Sequence, residues 1–169
     1  AAAFGSFLKQ STGAGAPTVC LGRDSRPSGE MFAAAARAGL TSVGCRVIEL
    51  GIVTTPTVGV MIAAHRAHGG MVITASHNPL PWNGLKCLNH DGVAPPPTDA
   101  AEIIRRFREG DLAYAPVQSL VRSEVDDSGT RAHLEAVLGL IDPRPIAKRG
   151  FRVVLASASG AGCHGGRER

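Results

Sequence analysis

Aromatic side chains are scarce in this chain, only 4% of its residues, with one tryptophan and one tyrosine. A core is therefore expected from Ala, Val, Leu and Ile. No apolar run approaches the roughly 20 residues that cross a bilayer, which predicts a soluble chain with no membrane partner. Cysteine is also sparse. Cys20, Cys45, Cys87 and Cys163 are widely spaced, with neither a C-x-x-C pair nor the density of a disulfide scaffold, and reduced cytoplasmic thiols are expected. The first residues carry no basic leader or cleavage pattern, so nothing supports secretion. Charge of either sign is modest, with 18 Lys+Arg against 14 Asp+Glu and a net +4. No Lys/Arg block is interleaved with aromatics, which argues against a nucleic-acid partner and leaves small anions as substrates.

Glycine and proline are plentiful, at 21 and 11 residues, and punctuate the chain into short elements. Helical spacing of Phe4, Phe7 and Leu8 predicts a helix over 1–10. Strands are expected over 18–21, 46–50, 71–74 and 84–89. Helices are expected over 29–42, with Ser28 as N-cap, and over 55–68, with Thr55 as cap and Pro56 in the first turn. Further helices are expected from Thr98 to Phe107 and from Gly129 to Leu140. Pro143 and Pro145 read as a linker, and Phe151 to Leu155 as a new strand. Strands alternating with helices give an α/β domain with helices on both faces of the sheet. Leu85 to Leu88 follows the preceding strand too closely for a helical crossover, so an antiparallel strand in a mixed, mostly parallel sheet is expected.

Chemistry concentrates after the strand that ends in Met71-Val72-Ile73. Thr74-Ala75-Ser76-His77-Asn78-Pro79 leads into the turn residues Leu80-Pro81-Trp82-Asn83-Gly84. Open α/β sheets bind ligands at the carboxyl ends of their strands, and Ser76 stands there beside His77 and ahead of Lys86. A serine so placed suits a nucleophile or a phosphate carrier. As a phosphoserine it would carry about −1.5 to −2 charges and need cations and donors nearby. His77, Lys86, Arg23 and Arg26 are the candidates. Lys86 suits a general acid/base or a substrate-phosphate contact. Asp24 reads as a structural partner of an arginine that buttresses the loop, and phosphate binding stays open for Arg23 and Arg26.

These residues carry a resemblance. Ile73 to Pro79 followed by Trp82-Asn83-Gly84-Leu85-Lys86 resembles the phosphoserine loop of the α-D-phosphohexomutase family, which includes phosphoglucomutases and phosphomannomutases. Gly22-Arg23-Asp24-Ser25-Arg26-Pro27-Ser28-Gly29 resembles that family's G-x-D-x-R-x-S-G element, and Gly51 to Thr57 its G-x-x-x-T-P stretch, in family order. The resemblance implies a three-layer α/β/α first domain over 1–142, with a linker and the truncated start of a second domain over 143–169. It implies that Ser76 is phosphorylated and exchanges its phosphoryl group with hexose phosphate and hexose bisphosphate, assisted by His77 and Lys86. It implies Mg2+, which meets Ser76 through a phosphoryl oxygen and is otherwise held by a D-G-D-G-D-R motif that does not occur here. Ala156 and Ser159 also stand where the family's second domain usually opens with aspartate and asparagine. The chain is thus expected as the phosphoserine-bearing part of a cytoplasmic isomerase, close to inactive alone. The alternative is a non-catalytic α/β fragment or degenerate homologue with a binding role.

Other patterns are discounted. His65 and His68 sit three apart on a predicted helix without a third metal ligand. Gly160-Ala161-Gly162-Cys163-His164-Gly165 matches G-x-G-x-x-G but lacks the helix and acid of a dinucleotide site. A serine hydrolase would need a G-x-S-x-G elbow, which is missing.

Overall fold

The computed structural model describes residues 1–163 and 165–167, so His164 of the glycine pattern lies outside the described residues. In chain order the elements are α1 (Ala2–Thr12), β1 (Thr18–Arg23), α2 (Gly29–Ser42), β2 (Arg46–Ile52), α3 (Thr55–Ala64), β3 (Gly69–Ile73), β4 (Leu85–Leu88), α4 (Pro97–Glu109), β5 (Glu124–Val125), α5 (Gly129–Leu138) and α6 (Arg144–Lys148). The strands form one sheet in the order β4-β3-β1-β2-β5. All neighbours are parallel except β3 and β4, which run antiparallel with Val72 opposite Lys86. This is the mixed, mostly parallel α/β/α architecture expected from the sequence.

The side-chain period of two explains the layers. Val19, Leu21, Val47, Met71 and Ile73 point to one face, where Phe4 and Leu8 of α1 and Leu40 of α2 cover them. Cys20, Ile48, Leu50 and Val72 point to the other, under Val58, Met61 and Ile62 of α3. With both faces covered, β3 is buried along its whole length, as central parallel strands are. A Cβ on Gly22 would lie 2.6 Å from a methyl of Val58 and 2.7 Å from one of Val53. The missing side chain in β1 thus lets α3 lie directly on the sheet. Among the described residues no helix is long and apolar enough to cross a membrane.

Several boundaries differ from the sequence expectation, each for a local reason. The N-cap of α3 is Thr54, not Thr55, because the Thr54 hydroxyl accepts the Thr57 N–H. Helix α3 ends at Ala64 rather than His68, where Arg66 turns left-handed at φ 48°. Ser28 is the N-cap residue of α2, as expected, but its side chain makes no capping bond, and its hydroxyl accepts a hydrogen bond from Asn83 Nδ2 at 3.0 Å instead. Helix α4 starts at Pro97, and no side chain caps it. Residues 151–155 are not a strand. They find no partner edge, and Val153 and Val154 remain 81% and 96% exposed. The expected linker holds α6, and β5 pairs with Ile48 and Glu49 although two residues give no periodicity to read.

The two histidines of the predicted helix serve the fold separately. His68 Nδ1 accepts the Thr18 N–H at 3.0 Å. His65 Nε2 lies 2.7 Å from Asp126 Oδ2, tying the end of α3 to the turn before α5. Asp126 also accepts from the Ser128 N–H at 2.8 Å and the Ser128 hydroxyl at 2.6 Å. The Ser128 bonds first, and His65 after them, hold its carboxyl below the ordinary value of 3.8.

Three outcomes are expected. Gly22→Ala forces a methyl against two branched valines and should lower stability by about 1–3 kcal/mol, read as a lower urea midpoint. Gly15→Ala, which opens onto empty space, should stay within about 0.5 kcal/mol. For Asp126 the folded value lies below the unfolded one. Its stabilisation is complete above the unfolded value and is lost as pH falls through the folded one. Asp126→Asn should therefore reduce stability at neutral pH and lose less of what remains below about pH 4 than the parent does, as measured by thermal unfolding across pH.

Candidate active site

Strands β1 and β3 are adjacent and parallel. The chain leaves β1 through α2 on one face and reaches β3 through α3 on the other. The edge beyond their carboxyl ends is the topological switch point, where open α/β sheets leave a crevice. Two loops meet there, residues 24–28 after β1 and residues 74–84 after β3. They border a cleft of about 440 Å³ lined by Asp24, Arg26, Thr54, Thr74 and Ser76 among others, with Gly160 and Ala161 from the end of the chain.

Asp24 joins the two loops. Its N–H donates to the Ile73 carbonyl at 3.0 Å. Its Oδ1 accepts the Arg26 N–H at 3.1 Å, while Oδ2 accepts Arg26 Nε at 3.1 Å and the Thr74 hydroxyl at 2.8 Å. Arg26 then spreads its fork under the second loop. Nη1 donates to the carbonyls of Pro79 at 2.8 Å and Trp82 at 3.0 Å. Nη2 donates to those of Ser76 at 3.1 Å and Asn78 at 2.7 Å. A guanidinium has five N–H donors, and here each has an acceptor. The side chain is 10% exposed, although the loop carbonyls that it binds lie at the surface, and bonds from a charged donor are the strong ones.

Ser76 sits at the crown of this arrangement. Its backbone is left-handed, φ 56°, which costs a non-glycine residue about 1–3 kcal/mol unless its surroundings impose it. The imposition is visible on both sides. The Ser76 N–H donates to Thr74 Oγ1 at 3.0 Å, and the Ser76 carbonyl accepts from Arg26. The hydroxyl is left exposed, 3.3 Å from His77 Nδ1. A serine hydroxyl against an imidazole, on a rigid turn at a cleft, can accept a group while its proton moves to the ring. No buried thiol competes with it. Burial pushes Cys20 up to about 12, with Asp126 adding to the effect, and pushes Cys45 and Cys87 up to about 11.

The structure gathers Ser76, His77 and Arg26 and sets the other candidates apart. Arg23 turns towards α2, where Nη2 meets Glu30 Oε2 at 2.8 Å. Lys86 lies exposed on β4 opposite Val72, outside the cleft lining, and has no ion-pair or hydrogen-bond partner among the described residues. Among the described residues no three His, Cys, Asp or Glu side chains converge to hold a metal. Asp24, which lines the cleft, is occupied by Arg26 and Thr74, so the residues present do not fit a magnesium cage. Sequence reasoning missed Thr74 as the residue that pins Ser76. Its place two residues before the serine, where a hydroxyl can accept the i+2 N–H, is the signal that could have found it. It also missed the support under α3, where Thr57 Oγ1 bridges Thr54 Oγ1 at 2.8 Å and His133 Nδ1 at 2.9 Å.

Comparison with known proteins follows the same residues. Residues 1–113 match the family described as phosphoglucomutase/phosphomannomutase, alpha/beta/alpha domain I. The phosphoglucosamine mutase of Parafrankia sp. (strain EAN1pec) is 40% identical over 146 residues, 86% of this chain and 31% of its own length. The phosphoglucomutase/phosphomannomutase of Thermococcus kodakarensis is 38% identical over 160 residues, 95% of this chain and 35% of its own. The chain thus spans about a third of the length of the curated relatives it matches. A solved structure of a phosphoglucomutase/phosphomannomutase family protein from Burkholderia thailandensis superposes with a TM-score of 0.68 at 24% identity, covering 83% of this chain and 31% of that one, a likeness of fold.

Proposed function

Since this chain belongs to the phosphoglucomutase/phosphomannomutase family, as its α/β/α domain I, we propose that it carries the phosphoserine of a phosphohexomutase, with Ser76 as the phosphoryl acceptor. The observation that carries this reading is the exposed Ser76 hydroxyl on a left-handed turn whose backbone is pinned on both sides. In the forward step the bond from Ser76 Oγ to phosphorus breaks, and a bond forms from a hexose-phosphate hydroxyl to phosphorus. The sugar hydroxyl gives up its proton and Ser76 Oγ gains one. Return of the other phosphoryl group from the bisphosphate reverses the bookkeeping at the serine. The 3.3 Å between His77 Nδ1 and Oγ supports His77 as the holder of that proton. Lys86 is the cation without a partner among the described residues that follows the loop in sequence, and it is assigned to the transferring or substrate phosphate.

Arg23 remains a phosphate contact only if its pairing with Glu30 opens. The magnesium of this reading would meet this chain only at a phosphoryl oxygen on Ser76, and no step is assigned to the metal here. The relatives' names divide between glucosamine and glucose or mannose phosphates, and the substrate class is therefore hexose phosphate and its bisphosphate. Residues 1–142 are assigned to the serine-bearing domain, and 143–169 to a linker and the opening of the next. A cleft closed by further domains is needed to keep water from the phosphoserine, and the 169 residues alone are expected to sustain little turnover.

The direct test is labelling. Incubation with a hexose 1,6-bisphosphate followed by peptide mapping should place phosphate on Ser76, and Ser76→Ala should remain unlabelled. Label on another residue, retained in Ser76→Ala, would end this reading. Lys86→Ala, assayed in the full polypeptide that carries this chain, should lower turnover about 10²–10⁴-fold while thermal stability moves by no more than about 0.5 kcal/mol. A large stability loss with near-normal turnover would make Lys86 a structural residue.

A further inference from the structure

We infer that Arg26 is a positioning residue that holds the serine loop from beneath and never ligates phosphate. The inference rests on Ser76 as the acceptor and adds how its loop keeps shape while its charge changes. An arginine three residues after a strand end, beside a serine loop, invites assignment to an anion. The geometry points the other way. All five N–H donors are engaged, one by Asp24 and four by the carbonyls of Ser76, Asn78, Pro79 and Trp82. Asp24 Oδ2, 3.1 Å from Nε, neutralises the charge. An anion would have to displace one of these bonds at a group that is 10% exposed.

The consequence reaches the reacting atom. Each phosphorylation adds about −1.5 to −2 charges to Ser76. Four carbonyl oxygens facing that group would repel it, and the guanidinium turns them inward. The peptide bonds are all trans, so in each plane the following N–H points opposite the carbonyl. Drawing the Ser76 and Pro79 carbonyls onto Arg26 therefore turns the His77 and Leu80 N–H groups away from it. Neither has an acceptor among the described residues. Arg26 thus orders the loop so that its carbonyls face the protein and its free amides face outward. Thr74 completes the frame by fixing the Ser76 N–H to Asp24 through one hydroxyl.

The test compares Arg26→Lys with Arg26→Ala, because lysine keeps the charge and loses the fork. In the full polypeptide both variants should lose about 100-fold in kcat with KM for hexose phosphate moving less than about threefold, the pattern of misplaced reacting groups. In the same samples deuterium uptake at residues 74–84 should rise at least about tenfold in rate while β1 and β3 stay protected. Rescue of kcat by Arg26→Lys, or a large rise in KM with kcat retained, would show a phosphate contact and overturn the inference. So would unchanged exchange in the loop. If Arg26→Ala does not fold, Thr74→Val must show the same pairing of lost kcat and faster loop exchange. The exchange arm reads loop order alone. If label lands on Ser76 but the loop stays protected in the variants, the proposed function survives and this inference fails. If the loop loosens but Ser76 takes no label, the proposed function fails and Arg26 stands only as the support of the loop.

Discussion

One guanidinium carries the architecture of the site. Arg26 leaves the first crossover loop, is fixed by Asp24, and gathers four carbonyls that lie 50 to 56 residues further along the chain. Without it those carbonyls would face one another at the mouth of a cleft, and the left-handed Ser76 would have only Thr74 to hold it. Arginine suits this position because a planar fork can satisfy several carbonyls at fixed angles, which a lysine ammonium cannot. The sheet supplies the other half of the constraint. β1 and β3 must be parallel neighbours for the two loops to meet, and that adjacency depends on α3 crossing close over Gly22.

The same bookkeeping explains why a mildly basic chain offers little free positive charge to the serine. Arg23 is matched by Glu30, Arg37 by Glu49, Arg46 by Glu124, and Arg105 by Glu102, Glu109 and Asp111. Exposed pairs of this kind contribute little stability each, but they remove cations from the list of anion ligands. What remains beside Ser76 is His77 and outward-turned amides, with Lys86 exposed on β4 outside the cleft lining. A loop of that kind suits a covalently held phosphate, which needs orientation more than tight electrostatic capture.

Much of this was legible along the chain. Apolar runs bounded by Gly, Pro and Thr located α2 to the residue and β4 as an antiparallel strand, because periodicity and turn chemistry act locally. The serine loop stood out through Ser76-His77-Asn78-Pro79 at a strand end. Errors arose where a local signal had a distant competitor. Ser28 has the chemistry of an N-cap, yet Asn83 claims its hydroxyl. Phe151 to Leu155 has the composition of a strand, yet no edge receives it. His65 and His68 share a helical spacing, yet Asp126 and Thr18 take them in different directions.

The amino-acid sequence by itself determined the α/β class, the order of elements from α1 through α4, the family and the serine whose hydroxyl is exposed, because each is written in contiguous residues or in motifs of fixed spacing. Only the tertiary structure decided what the arginines do. Arg23 and Arg26 are three residues apart and identical in chemistry, and no local rule separates them. Folding brings Glu30 to one and four carbonyls of the 74–84 loop to the other. Hydrogen-bond acceptors fifty residues away are placed by strand order and crossover handedness, and those are properties of the whole packed sheet.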